Sequence, residues 1–298
     1  MGASYPLPDA RPNPQLKRMN QDTSFLTLQP DRAVLSITGE DASVFLQRVI
    51  TNGPEGLEPL KAQFSALLTP QGKVLADFIV FSTGQDALFV DVPASEAPAL
   101  LKRFTMYRMR AKAELALRED LNVATARGEG EQELTTVALA AALDPRNPML
   151  GLRAIIPAGG PDAETQGYHA ARIAACVPEF GHDYGPSEVF STDVNHDLLG
   201  GIDYKKGCFV GQEVASRMHR KGGVRKRTLL FRFEDGAPAR GTELLAGETP
   251  LGELTSVSGP LALARVRVDR LAKALGDGQS LSADSHTAIC LDKVEQPS

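Results

Sequence analysis

One cysteine in this sequence stands where thiol chemistry is favoured. Cys208 lies within Gly200-Gly201-Ile202-Asp203-Tyr204-Lys205-Lys206-Gly207-Cys208-Phe209-Val210-Gly211-Gln212-Glu213, with two lysines just before it and four glycines around it. Glycine permits positive φ and lets the backbone approach a ligand closely. Adjacent ammonium groups, and a helix starting near Gln212, favour the thiolate, the form that attacks electrophiles and binds metals. A lone cysteine is more commonly a small buried hydrophobe. Here the glycine and lysine setting favours a partly exposed, reactive Cys208. Cys176 and Cys290 lie in apolar stretches and read as core. Three cysteines without a C-x-x-C pair exclude a disulfide scaffold, a zinc ribbon and an all-cysteine iron–sulfur site within the chain.

Asp77 is the other singular residue. Along residues 74–81 one strand face carries Leu75, Asp77, Ile79 and Phe81, and the other Val74, Ala76, Phe78 and Val80. A carboxylate inside a strand apolar on both faces is costly unless it meets a partner or a ligand. Two readings stand level: a structural pair with an internal arginine, Arg108 or Arg110, or a ligand contact. His169, His182, His196, His219 and His286 show no metal-ligand spacing, so no metal site is expected. The sequence has no G-x-S-x-G, Walker loop or dinucleotide fingerprint, which removes the usual supports for hydrolase, ATPase and dehydrogenase readings.

Charge is concentrated in residues 203–232, where nine basic side chains face only Asp203 and Glu213, in a chain of net charge −5. Such a local field recruits anions. A basic run alone is more commonly a solvated helix face beside a linker. Only Tyr204 and Phe209 lie near these charges, so base stacking would be poor and direct nucleic-acid binding is not expected.

The elements that must position these residues alternate between strand and helix. Residues 24–28 and 33–37 read as a first strand pair, 40–50 as a helix, 63–69 and 74–81 as a hairpin, and 87–92 as a further strand. Residues 95–107 have helical spacing and 111–117 alternate weakly. A second set follows near Val123, with a strand at 152–157 and a helix at 168–176. Consecutive hairpins favour an α+β fold over a doubly wound parallel sheet. Beyond Arg225, short β-type runs with Gly, Pro and Asp turns indicate a small barrel or sandwich. The length of 298 residues agrees with about two domains. No apolar run approaches the ~18 residues of a membrane span. Residues 1–22, with Pro6, Pro8, Pro12 and Pro14, read as an extended tail without a secretory signal, so a cytoplasmic protein is expected.

The stretch Lys206-Gly207-Cys208-Phe209-Val210-Gly211-Gln212-Glu213 resembles the K-G-C-[YF]-x-G-Q-E signature of the YgfZ-type folate-binding proteins, relatives of the aminomethyltransferase (T-protein) of the glycine cleavage system. Gln47-Arg48-Val49-Ile50-Thr51-Asn52, the hairpin around Pro70-Gln71-Gly72-Lys73, Tyr107–Lys112 and Pro186-Ser187-Glu188 are similar to further family segments. The resemblance implies a GcvT-like ring. Two related α+β halves (about 23–120 and 121–224) form a folate-binding domain over 23–224, followed by a C-terminal β-barrel over 225–298. It implies tetrahydrofolate, or a derivative, bound at Asp77, with Asn52, Glu188, Lys206, Gly207, Gly211, Gln212, Glu213 and Arg225 as further contacts. Cys208 would be the functional thiol. The implied role is assembly or repair of iron–sulfur clusters in client enzymes, including those that modify transfer RNA, with folate and assembly proteins as partners. The alternative is a folate-dependent aminomethyltransferase. The acidic pair typical of T-proteins is Ala76-Asp77 here, which weakens that alternative.

Overall fold

The computed structural model describes residues 24–84, 87–160, 166–220 and 224–292. The expected tail over 1–22 lies outside them. The first elements are β1 (Phe25–Leu28), β2 (Arg32–Thr38), α1 (Ala42–Gln47), the hairpin β3 (Ala62–Leu68) and β4 (Val74–Ser82), β5 (Ala87–Pro93), α2 (Ala97–Arg108) and β6 (Glu114–Leu117). Then come β7 (Leu121–Arg127), α3 (Gly130–Val137), β8 (Ala140–Leu143), β9 (Leu152–Pro157), α4 (Gln166–Ala174) and α5 (Gln212–Arg220). The remainder is β10 (Lys226–Phe233), β11 (Glu243–Ala246), β12 (Thr249–Ser258), β13 (Leu261–Arg267), α6 (Val268–Gly276), β14 (Leu281–Ala283) and β15 (His286–Cys290). No helix among the described residues is long and apolar enough to cross a membrane.

These form two antiparallel sheets, ordered β3-β4-β5-β2-β6 and β1-β7-β9-β8, and a closed barrel ordered β10-β13-β12-β11-β14-β15. The α+β expectation and the C-terminal barrel hold. The expected pairing of the first two strands does not: β1 pairs with β7, while β2 lies between β5 and β6. The link turns away because Gln29 bonds β7 twice, through its backbone N–H to Val123 O (2.9 Å) and its side chain to Thr125 Oγ1 (2.9 Å). The first strand of the chain therefore belongs to the second sheet. The helix expected over 40–50 is shorter, ending at Gln47 in irregular turns. α6 was not expected, although Val268, Leu271, Ala272 and Leu275 carry helical spacing that reveals it.

Apolar alternation sorts the faces. Val74, Ala76, Phe78 and Val80 join the core beneath α1 and α2, with Phe45, Leu46, Leu100 and Phe104. Ile79 and Phe81, on the other face of β4, meet Val123, Ala140 and Ile155 of the second sheet. Asp77 shares that second face, so it points into the seam between the sheets.

Polar groups fill the seam. Asp91 on β5 accepts from Arg32 Nε at 2.6 Å and from Arg153 Nε at 2.5 Å, one guanidinium from each sheet. Arg153 Nη1 donates to the Tyr168 hydroxyl (3.1 Å), which donates to Glu179 (2.6 Å). Arg146 bonds Asp144, Glu179 and Tyr168. Arg172 on α4 reaches Asp183 at 2.7 Å, and Asp183 accepts from Thr255 of the barrel at 2.6 Å. Every one of these charged groups is buried. Burial alone would raise the carboxyl of Asp91, but Arg153 and Arg32 hold it below 3.8; Arg146 and Arg172 likewise hold buried Glu179 well below 4.5.

Removing one member strands its partners as uncompensated buried charge, which costs roughly 3–5 kcal/mol. Asp91→Ala should lose about that much stability in urea denaturation. The two carboxyls titrate lower folded than unfolded, so the stability they contribute is present above the ordinary carboxylate range and is lost as pH falls through their depressed values. An acid titration followed by circular dichroism should show this loss in the parent, and a shallower one in Asp91→Asn.

Candidate functional site

The signature loop runs from the seam to the surface. Gly201 lies against the Phe64 ring, where an added Cβ would meet it at 2.7 Å. Thr51 Oγ1 donates to Gly201 O at 2.6 Å, and Asn52 Nδ2 donates to Gly200 O at 2.9 Å and to Phe64 O at 3.3 Å. Asn52 therefore ties the loop to β3. Lys206 Nζ donates to the carbonyls of Gln47 and, at 2.5 Å, Ile50, at the frayed end of α1. Its ammonium stands 5.3 Å from the Phe209 ring centroid. Burial lowers Lys206 to about 8, against the pull of Asp203 and Glu55. Phe209 is buried, and Gly211 (φ +80°) passes so close to the β3–β4 turn that a Cβ would lie 2.5 Å from Thr69 O.

Between these anchors Cys208 is exposed, the only one of the three cysteines to be so. Cys176 and Cys290 are half-buried, their sulfurs close to Asp292. Burial pushes the Cys176 thiol well up and Cys290 to about 12, and Asp292 adds to both. Beside the loop a cleft of about 460 Å³ is lined by Tyr204, Gln212, Glu213, Ser216, His219 and Arg220. The Tyr204 and His219 rings stack there at 3.9 Å.

Asp77 is 1% exposed and pairs with neither expected arginine. Arg108 Nη1 instead bonds Ala113 O, and Arg110 is exposed. The partner is Arg32, whose Nη1 lies 3.7 Å from Asp77 Oδ1, while the Tyr184 hydroxyl donates to Oδ2. Tyr184 Oη also lies 3.0 Å from His196 Nε2. Burial pushes His196 down to about 3, so its imidazole is neutral. Burial raises Asp77 above its ordinary value, against Arg32 and the Tyr184 hydrogen bond. Arg32, Tyr184 and His196 were not singled out from sequence. Asp91 could have been, since it too is a carboxylate within an apolar strand.

The other expected contacts are dispersed. Glu188 pairs with Arg265 of the barrel (2.7 Å) and accepts from Gly185 N–H (2.9 Å). Burial raises its pKa, but these two contacts outweigh it and leave the carboxyl lowered. Gly207, Glu213 and Arg225 are exposed, and Gln212 Nε2 lies 3.4 Å from Gly207 O. Of the basic segment, Arg227 is committed to Asp197 at 2.5 and 2.8 Å, and Lys221 lies outside the described residues. Lys205, Arg217, Arg220, Arg225 and Lys226 are exposed and have no ion-pair partner among the described residues. Folding also brings together His169, Glu179 and His182, which sequence spacing did not suggest. Arg172 Nε donates to His169 Nδ1 at 3.1 Å, and Arg146 and Arg172 already neutralise Glu179, so the trio is poorly suited to a cation.

Residues 225–294 match the family model described as CAF17, C-terminal beta-barrel domain. Over 246 residues, 72% of the chain, the sequence is 31% identical to a Neurospora crassa protein described as an iron-sulfur cluster assembly factor IBA57 homolog, mitochondrial. It is 29% identical over 266 residues to the human iron-sulfur cluster assembly factor IBA57, mitochondrial, matching 78% of this chain and 74% of that one. The chain spans little more than half the length of the fungal relatives, 55% for Neurospora crassa and 57% for Pyricularia oryzae. The glycine cleavage system aminomethyltransferase T of Bartonella henselae superposes with a TM-score of 0.72 at 15% identity, over 98% of this chain and 90% of that one. The fold is thus GcvT-like. These sequence relatives are of the IBA57 form, related to the YgfZ type. They also overturn the cytoplasmic expectation, since the fungal and human relatives are described as mitochondrial.

The exposure of the three thiols predicts their chemistry. Iodoacetamide at neutral pH, followed by mass-spectrometric site assignment, should modify Cys208 at least about tenfold faster than Cys176 or Cys290, whose thiolates are suppressed by burial.

Proposed function

We propose that this chain assists iron–sulfur cluster assembly by offering the Cys208 thiol to cluster cargo held jointly with an acidic partner protein. The observation that carries the proposal is the exposure of Cys208, alone among the cysteines, on a loop tethered at both ends. The kinship with proteins described as iron-sulfur cluster assembly factors supports the cargo. Such clusters take four protein ligands, commonly thiolates. One exposed thiol supplies one of these, so the partner must provide the rest. The exposed Lys205, Arg217, Arg220, Arg225 and Lys226 in a chain of net charge −5 favour a partner of opposite charge.

The polar seam supports tetrahydrofolate as a second ligand. Arg32 Nη1, at ion-pair distance from Asp77, and Arg153 Nη2 are buried donors without a hydrogen bond, and His196 Nδ1 is a third such buried nitrogen. Buried polar atoms are normally satisfied. A pterin edge presents both donors and a carbonyl acceptor, which suits Asp77 together with these guanidinium N–H groups. Folate, when bound, would supply a carrier for one-carbon units. Asp77 would accept from the pterin, Arg32 would donate to it, and Tyr184 would hold the Asp77 carboxylate in place. Glu188 is engaged by Arg265 and Lys206 by the carbonyls of Gln47 and Ile50, while Arg225 is exposed, so this contact does not draw on them.

The test of the thiol is complementation. In cells lacking the protein, Cys208→Ser should fail to restore iron–sulfur client activity, with transfer-RNA thiolation as one readout, although the variant folds normally. Full complementation would sink the proposal. Binding to an acidic assembly partner should weaken steeply with salt, as exposed charges are screened. For folate, Asp77→Asn removes a charge-assisted bond worth roughly 1.5–3 kcal/mol, an affinity loss of about ten- to hundredfold. Calorimetry with tetrahydrofolate reads it directly, and equal affinities with an intact fold would make Asp77 purely structural.

A further inference from the structure

The K-G-C order in the signature has a physical reason that neither the thiol nor the fold alone supplies. α1 stops at Gln47, and the backbone N–H groups of Arg48, Val49 and Ile50 close the turn after it on Phe45 O and Leu46 O. Lys206 comes from 156 and 159 residues away to bond Ile50 O, in that turn, and Gln47 O, at the helix end. Phe209, three residues on, is buried in the same core as Phe45, Leu46 and Ile50. Gly211 is pressed against the β3–β4 turn, and α5 follows with Val214 over Gly72. Between Lys206 and Phe209 stand only Gly207, which has no side chain, and Cys208.

We propose that Lys206 is the positioning residue for Cys208, its ammonium clamping the loop to the end of α1 so that the thiol is the single side chain displayed there. This rests on the reading of Cys208 as the working thiol. The clamp is electrostatic and directional, since an ammonium has three donors and meets two carbonyls at once. An apolar side chain of similar length would keep the packing against Phe209 and lose the tether. The loop would then move on the timescale of free loops rather than of the packed core.

The experiment attaches a nitroxide to Cys208 in the full chain and compares the parent with Lys206→Met and Lys206→Arg. The expected result is a motionally restricted spectrum in the parent, a mobile one in Lys206→Met, and a restricted one again in Lys206→Arg. Unlabelled Lys206→Met should lose roughly ten- to hundredfold in client activation, as misplaced reactive groups do, and Lys206→Arg should recover most of it. Should Lys206→Met fail to fold, Lys206→Gln takes its place. A restricted label and full client activation in the apolar variant would overturn the proposal. If instead Cys208→Ser supports full client activation, the thiol reading fails while the label still reports the clamp, so the two failures are distinguishable.

Discussion

The rest of the molecule depends on Asp91 being shared between two arginines, one from each sheet. Arg32 on β2 and Arg153 on β9 grip its two oxygens; the Arg32 contact lies within one sheet, and the Arg153 contact forms only when the sheets close on each other. Apolar faces alone would tolerate several ways of sliding one sheet over the other, because burial is not directional. The short charge-assisted bond from Arg153 to Asp91, set in a dry seam, permits one. From Arg153 the same logic passes through Tyr168 to α4 and Glu179, and from Arg172 through Asp183 to Thr255 on β12. A single connected set of polar contacts thus fixes the relative placement of both sheets, α4 and the barrel.

Such a set is a weak source of net stability, since desolvation offsets most of the Coulombic gain. Its value lies in how specific it is, and in the imbalance it leaves. Four guanidinium groups (Arg32, Arg146, Arg153, Arg172) face five carboxylates (Asp77, Asp91, Asp144, Glu179, Asp183). The raised pKa of Asp77 marks where a proton most readily restores the balance. Tyr184 and His196 sit at that point, and so do Arg32 Nη1 and His196 Nδ1, which make no hydrogen bond.

The thiol loop solves the opposite problem. A reactive cysteine has to be exposed, yet exposed loops are mobile. Here the exposed stretch is reduced to two residues by an ammonium clamp on one side and a buried aromatic on the other. The far end is pinned by a glycine that no other residue can replace without striking Thr69 O. The start of the thiol loop meets the seam at Gly201, through packing against Phe64, whose ring in turn meets His196.

By itself the sequence determined the α+β texture, the barrel beginning near Arg225, the hairpin carrying Asp77 and the exposure of Cys208, because alternation, turn residues and glycine spacing are local signals. It also pointed to Asp77 as a carboxylate in need of a partner. The identity of that partner was decided only by tertiary structure: Arg32 lies 45 residues away on a strand two places across the sheet, and no local pattern connects them. For the same reason the basic segment divided in ways composition could not foresee. Lys206 turned inward to the carbonyls of Gln47 and Ile50, Arg227 to Asp197, and Lys205, Arg217, Arg220, Arg225 and Lys226 stayed exposed. The exchange of β1 into the second sheet was likewise beyond local reading, because Pro30-Asp31 makes a turn in either case and the hydrogen bonds of Gln29 to β7 choose the direction.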